Sequence, residues 1–245
     1  MIRIFLGKVG SGKTACAVRE MALDERKILT YSNIKTSLDW QKDLTPGLIL
    51  KKEIKDTKVN RKTGEATPVY EYSVNIDFWK QQTETLNVVL DEAHSILNSR
   101  RAMKQQNIIF NDWLALIRKI LGNQSAEGGN LTFITQLWNR IDVVARDMAH
   151  QIRYHICHYL KTCEKCGVQW SEHSDMAEIY TSCPQCNAIN PKRTDYCIEV
   201  FHFASMQHFL GWHIEGTHSF HKHYIIDDIE NFFNHYDTYQ IDNLF

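Results

Sequence analysis

Gly7-Lys8-Val9-Gly10-Ser11-Gly12-Lys13-Thr14 is the stretch on which the fold turns. Before it, Ile2-Arg3-Ile4-Phe5-Leu6 reads as a short buried strand. After it, residues 13–23 read as a helix with Ala15, Val18, Met21 and Ala22 on one face. Gly7 and Gly12 with four residues between them, followed at once by Lys13 and Thr14, is the phosphate-loop spacing in its strand-then-helix setting. Glycines at 7, 10 and 12, with Ser11, let backbone N–H groups curl around a β-phosphate, and the positive end of the following helix favours the anion. Lys13 then reaches the β- and γ-phosphates of ATP. Thr14 offers its hydroxyl to Mg²⁺, which prefers hard oxygen ligands. The competing reading is a chance glycine-rich turn, and the strand and helix on either side weigh against it.

Residues 86–94, Leu-Asn-Val-Val-Leu-Asp-Glu-Ala-His, form an apolar run ending in two acids, as a central parallel strand delivering carboxylates to the carboxyl edge of a sheet would. Asp91 is the expected Mg²⁺ carboxylate and Glu92 the base that orients or deprotonates the attacking water. Taken alone, Glu92 is equally an acid complementing a helix dipole. Residues 130–136, Asn-Leu-Thr-Phe-Ile-Thr-Gln, read as another strand, with Gln136 at its end where a side chain can sense the γ-phosphate. The string Asp91-Glu92-Ala93-His94 invites comparison with DEAH-box helicases, which sandwich ATP between two tandem cores, but this chain has room for one. A single core needs its missing half from another subunit. That implies a homo-oligomeric ring, a pentamer or hexamer, with an arginine finger supplied in trans.

Composition sets the class around these motifs. A chain of 245 residues, 43% hydrophobic and 23% charged with four prolines, excludes disorder and fits one domain or one domain with a small insert. Seven cysteines are too few for a disulfide scaffold, no apolar h-region follows Met1, and no apolar run approaches the ~20 residues of a membrane span. A cytoplasmic chain without an intrinsic membrane anchor is therefore expected. The net charge of -1 hides a gradient: residues 194–245 hold Lys222 alone against eight acids, leaving the positive excess before them. Eleven of the twelve histidines lie at or beyond His150.

Cys163-x2-Cys166 and Cys183-x2-Cys186 form a four-cysteine zinc-ribbon pattern. Each pair folds two thiolates onto one face of a tetrahedron, and four thiolates leave no open position, so the Zn²⁺ is structural. Two redox dithiols or disulfides are the alternative. His158 and His173 are not needed as ligands. Cys16, Cys157 and Cys197 read as small buried hydrophobes. Residues 151–160 and 196–203 flank the ribbon and are expected to pair as strands. Lys161, Lys165, Lys192 and Arg193 surround it, so it serves either nucleic acid or subunit contact.

The chain divides into a core at 1–160, a ribbon insert at 161–195 and a closing segment at 196–245. Within the core, Lys51, Lys52, Lys55, Lys58, Arg61 and Lys62 around an Asn60–Gly64 turn, with Tyr70 and Tyr72 beyond it, read as a basic hairpin about 50–75. Such a hairpin lines a ring's pore and grips DNA phosphates, or it is a ribbon edge protected by lysines. Residues 100–106 are a second candidate DNA-contacting loop. His218, His221 and His223 raise a second metal site, without a recognisable ligand spacing.

Strand, Gln136, Asp142, then Arg146-Asp147 and another apolar strand resembles the block after the fourth strand in the HerA/FtsK superfamily of DNA-pumping ATPases. Tyr31-Ser32-Asn33-Ile34 and the late Tyr236-Asp237-Thr238 look most like its zonular-occludens-toxin-like branch, which includes filamentous-phage assembly ATPases and, nearby, viral genome-packaging ATPases. The resemblance covers residues 1–160 and the extreme C-terminus. It implies an α/β fold, a RecA/HerA-like P-loop NTPase sheet with helices on both faces, plus the zinc-ribbon insertion. It also implies double-stranded DNA as partner, together with capsid or membrane assembly proteins, at a virion packaging vertex in the host cytoplasm. Arg146 matches the superfamily's finger position. Arg118 on a helix at 106–120, Arg100 and Arg101 are the alternatives. Filamentous-phage members usually carry a transmembrane segment, and its absence here favours a packaging motor. A membrane-partnered assembly ATPase and a nucleotide-gated scaffold with little turnover are the competing functions. The tail is expected to return to the core or to dock on the next subunit, its acidic end turned from DNA, outside the ring or against a basic surface of the adjacent subunit.

Overall fold

The computed structural model describes residues 1–59, 64–93, 105–123, 128–141, 143–176, 181–217 and 220–241. In chain order it runs β1 (Ile2–Leu6), α1 (Lys13–Ala22), β2 (Leu29–Ser32), β3 (Ile34–Thr36), β4 (Gln41–Asp43), α2 (Pro46–Ile49), β5 (Leu50–Val59), β6 (Ala66–Val74), α3 (Ile76–Lys80) and β7 (Leu86–Leu90). It continues with α4 (Gln105–Asn123), β8 (Leu131–Thr135), α5 (Val143–Asp147), β9 (Gln151–Thr162), β10 (Gln169–His173), β11 (Lys192–Phe203), α6 (Met206–Glu215), β12 (Lys222–Ile226) and β13 (Tyr236–Ile241). Short 3-10 segments occupy Trp138–Arg140 and Ile229–His235. His94, Arg100, Arg101, residues 60–63, Asp142 and His218 lie outside the described residues.

The large sheet has the order β12-β11-β9-β1-β8-β7-β2-β4. Its six strands from β9 to β4 are mutually parallel, and β11 and β12 close one edge in antiparallel fashion. Parallel strands must be covered on both faces, and their sequences read accordingly as near-continuous apolar runs. Alternate residues serve the two layers. Ile2, Ile4 and Leu6 of β1 share one face with Val88, Leu90 and Phe133, and pack there with Trp113, Leu114 and Ile117 of α4 and Phe209 of α6. Phe5, Val89 and Ile134 point the other way, onto Ala15, Val18 and Met21 of α1. Helices therefore lie on both faces.

β8 lies between the P-loop strand β1 and the acid strand β7, so the ends of all three meet at one edge. β9 is parallel to β1, pairing Leu6 with Tyr154, and continues eight residues further to Thr162. At ~3.3 Å per residue this carries the chain roughly 25 Å past the P-loop on the same side of the sheet. The stretches expected to pair around the cysteines do so: Phe203 is opposite Ile152 and Lys192 opposite Thr162, with a bulge between Thr194 and Cys197.

The basic stretch forms an isolated two-stranded ribbon, β5 with β6, joined to no other strand among the described residues. Its foot is fixed by Asn75 Nδ2 donating to Gly47 O at 2.8 Å and Trp79 Nε1 to Leu48 O at 2.7 Å. Its charge is less one-sided than the lysines suggest: Lys51 pairs with Glu53 and Lys55 with Glu71, each at 2.9 Å. Lys52 sits over the Tyr70 ring, 3.8 Å from its centroid.

The tail returns to the core. β13 pairs antiparallel with β3, Tyr236 opposite Thr36 and Ile241 opposite Ile34. The two stretches that suggested a family branch are thus neighbours in space.

His155 on β9 is 1% exposed, its Nδ1 3.2 Å from the Leu6 carbonyl, and burial depresses its pKa to about 3. An unfolded chain takes up this proton near pH 6.5, and the folded chain refuses it until about pH 3. Stability is therefore lost as pH falls below about 6.5, at up to about 1.4 kcal/mol per pH unit from this group. In urea denaturation at pH 7 and pH 5, His155→Gln is expected to lose less stability between the two pH values than the wild type; equal losses would remove His155 as a cause.

Candidate functional site

The loop between β1 and α1 takes a shape that needs its glycines. Gly7, Gly10 and Gly12 have φ of 148°, 74° and 81°. A Cβ on Gly7 would run into Ser11 Oγ and the His155 carbonyl, and one on Gly12 into Ile198 of β11. Lys13 is buried, its Nζ donating to Gly7 O at 3.0 Å, Lys8 O at 2.8 Å and Ser11 Oγ at 3.2 Å. Burial lowers its pKa to about 8, partly offset by Asp91 and Glu92. Lys8 donates to the Asp175 carbonyl at 3.0 Å, tying the loop to the chain that returns from β10.

Thr14 Oγ1 donates to Asp91 Oδ2 at 2.6 Å. Asp91 is 4% exposed, and burial raises its pKa against the hydrogen bonds from Thr14 and from the Glu92 amide, the latter to Oδ1 at 2.7 Å. Its backbone is held from both sides by one side chain: Asn33 Oδ1 accepts from Asp91 N at 2.7 Å and Asn33 Nδ2 donates to Asp91 O at 3.0 Å. Asn33 follows β2 directly. The sequence shows it inside Tyr31-Ser32-Asn33-Ile34 but carries no sign that it clamps Asp91, because the contact spans 58 residues. Glu92 adopts φ of 51°, rare for a residue with a side chain, and Gln136 Nε2 donates to its Oε1 at 3.0 Å.

Lys13, Thr14, Asp91, Glu92 and Gln136 line one cavity of about 1010 Å³ with Gly10 and Gly12. An anion-binding loop, a hydroxyl bonded to a buried carboxylate, a second carboxylate and an amide are the parts needed to hold a magnesium nucleotide and position water beside it. Arg146 does not line this cavity; it sits half-buried on α5 with Nε lacking a hydrogen-bond partner among the described residues. Arg118 is exposed on α4.

Cys163, Cys166, Cys183 and Cys186 bring all four sulfurs within 4.8 Å of one another, the only such ligand group among the described residues. Cys163 to Cys186 and Cys166 to Cys183 are each 3.5 Å, too long for disulfides, and all seven cysteines are free. Four sulfurs about 2.3 Å from a zinc ion stand about 3.8 Å apart, so the spacing is compatible with tetrahedral zinc. The two knuckles share one backbone plan. Gly167 N donates to Cys163 O at 2.8 Å and Asn187 N to Cys183 O at 3.0 Å, with φ of 75° and 55° at these two residues. Amides of Cys166 and Lys165 lower the Cys163 pKa to about 6, favouring the thiolate.

One expectation changes. Lys161 is unavailable to nucleic acid, being 2% exposed and paired with Glu172 at 2.8 Å. His158 and His223 share the Glu199 carboxylate at 3.0 and 2.8 Å, and neither belongs to a metal cluster among the described residues. The tail, in returning to the core, reaches the site: Phe233, Asn234, Tyr236 and Asp237 line the P-loop cavity.

A parallel sheet of this order with this loop and these acids is that of a P-loop NTPase. The chain belongs to the zonular occludens toxin (Zot) family, whose profile matches residues 1–163. It is similar to the N-terminal domain of zonular occludens toxin from Neisseria meningitidis at 15% identity and a TM-score of 0.49, over 96% of this chain and 98% of that one. It is also similar to the genome packaging NTPase B204 from Sulfolobus turreted icosahedral virus 2 in complex with ATP-gammaS. There identity is 13% and the TM-score 0.34, over 66% of this chain and 75% of that one. No curated protein matches the chain. Among the described residues no helix is long and apolar enough to cross a membrane.

Removing the Asn33 side chain leaves the Asp91 amide and carbonyl unpaired, so Asn33→Ala is expected to cost roughly 1–3 kcal/mol in urea denaturation; an unchanged midpoint would show that water replaces the clamp. Elemental analysis of chain purified without chelator is expected to find one zinc per chain, lost in a Cys163→Ser, Cys186→Ser double variant. Metal-free wild-type protein would return the cluster to the dithiol reading.

Proposed function

We propose that the chain is an ATP-hydrolysing motor, working as a homo-oligomeric ring, that translocates double-stranded DNA in viral genome packaging. The observation that carries the reading is the convergence of Lys13, Thr14, Asp91, Glu92 and Gln136 on one cavity at the carboxyl edge of the parallel sheet. On this reading the loop amides and Lys13 bind the β- and γ-phosphates. Thr14 and Asp91 hold Mg²⁺, which when bound supplies positive charge against the phosphate oxygens. Glu92 orients and deprotonates water at the γ-phosphate. Gln136, bonded to Glu92, gives way as the phosphate departs and passes the change along β8. Arg146, outside the cavity of its own subunit, reaches the neighbour's phosphates and stabilises transition-state charge. The zinc-held ribbon rises on the nucleotide side of the sheet, and the β5–β6 ribbon with Lys52 and Lys58 supplies sequence-independent phosphate contacts. Capsid proteins at a packaging vertex are the fitting partners.

Membership of the Zot family by itself favours a second reading, an assembly ATPase acting with a membrane partner. The two part company over DNA. ATP hydrolysis is expected to rise with added double-stranded DNA while light scattering reports a ring. Glu92→Gln is expected to lower kcat about 100-fold or more, and Arg146→Ala to abolish the DNA-stimulated rate. Hydrolysis indifferent to DNA would favour the assembly reading; a monomer with no stimulation, even with ATP, would remove the motor.

A further inference from the structure

The P-loop and its acids account for the phosphates of a nucleotide and leave the base and sugar without a surface. The same cavity continues past them onto Arg193 and Tyr196 of β11 and Phe233, Asn234, Tyr236 and Asp237 of the C-terminal segment. We propose that these residues form the nucleoside half of the site, with the base stacked in the aromatic corner between Tyr196 and Phe233. This deepens, and rests on, the reading of the cavity as a nucleotide site.

The two rings are 5.6 Å apart at 82°, so together they present a face and an edge meeting at a corner. Phe233 keeps 39% of its surface exposed, while its neighbour Phe232 is buried at 8%. A large apolar ring left open on the wall of a nucleotide-sized cavity is suited to a flat ligand. Local backbone also turns Tyr196 to this use. Asp195 takes φ of 53° at the β11 bulge, where the strand slips register before Cys197. Bulges of this kind re-aim a side chain beside a site.

The segment that carries Phe233 is pinned at both ends and in the middle, as a ligand wall must be. Asp228 accepts two bonds from Arg19 of α1, at 2.7 and 2.9 Å. Ile229 is buried in the layer under α1, and Phe232, also buried, has Arg19 5.7 Å from its ring centroid. Glu230 Oε1 accepts from Tyr196 N at 3.3 Å, tying the two halves of the corner together. The Ser37 amide donates to the His235 carbonyl at 2.9 Å, after which β13 begins. The strap thus runs from the P-loop helix to β3 across the carboxyl edge of the sheet. Stacking reads the π-face of a base and not its hydrogen-bonding edge, so this corner accepts adenine and guanine with similar strength.

Isothermal titration of the full chain with magnesium, using ATP, GTP and inorganic tripolyphosphate as probes, separates the two halves of the site. Phe233→Ala is expected to weaken ATP and GTP about tenfold and to leave tripolyphosphate unchanged, which also certifies the fold. Phe233→Trp is expected to restore nucleotide binding, and Lys13→Ala to weaken all three probes. Nucleotide affinity unchanged in both Phe233→Ala and Tyr196→Ala would overturn the base assignment while leaving the P-loop reading intact. An equal loss of ATP and tripolyphosphate in Phe233→Ala would overturn it too, as a general effect of the strap. Failure of the wild type to bind any of the three probes would instead bring down the nucleotide reading on which it stands.

Discussion

Asp91 is a carboxylate buried at the edge of a parallel sheet, and the site is organised around satisfying it. One oxygen accepts from Thr14 and the other from the Glu92 amide, while Asn33 holds its peptide from both sides. A buried carboxylate short of partners costs several kcal/mol. The P-loop helix, the acid strand and the end of β2 must therefore stay in register with one another. That register depends in turn on the strand between them: β8 separates β1 from β7 by one position, which brings Gln136 up between the phosphate loop and Glu92.

Two long-range devices build on this centre. β9 leaves the sheet alongside β1 and carries the cysteine cluster outward, while Lys8 ties the loop back to the chain returning from β10. The C-terminal strap crosses from Arg19 to β3 and lines the cavity on its way. P-loop, ribbon and tail are thus linked through packed elements, the loop to the chain below the ribbon through Lys8 and the strap to α1 through Arg19.

Much of the site was legible because its chemistry is local. Gly7, Gly12, Lys13 and Thr14 are spaced by the loop they form, and Asp91 and Glu92 end an apolar run that fits a covered parallel strand. The two Cys-x2-Cys pairs are equally local, and each knuckle closes its own backbone bonds within five residues. Asn33, Tyr196 and Phe233 were not legible in the same way. Each meets its partner across tens of residues of chain, and each is an ordinary polar or aromatic residue until the fold gives it a neighbour. Charge misled where pairing intervened: Lys161 is cancelled by Glu172, and the β5–β6 lysines are partly cancelled by Glu53 and Glu71.

The sequence by itself determined the P-loop, the acids, the cysteine quartet and the covered parallel sheet, because spacing within a loop or along a strand sets which atoms meet. Only the tertiary structure decided that Asn33 clamps Asp91 and that an acidic, aromatic tail lines the P-loop cavity. Strand order and the path of the strap bring those residues together, and both are set by the joint burial of the two apolar layers, which no single stretch of sequence encodes.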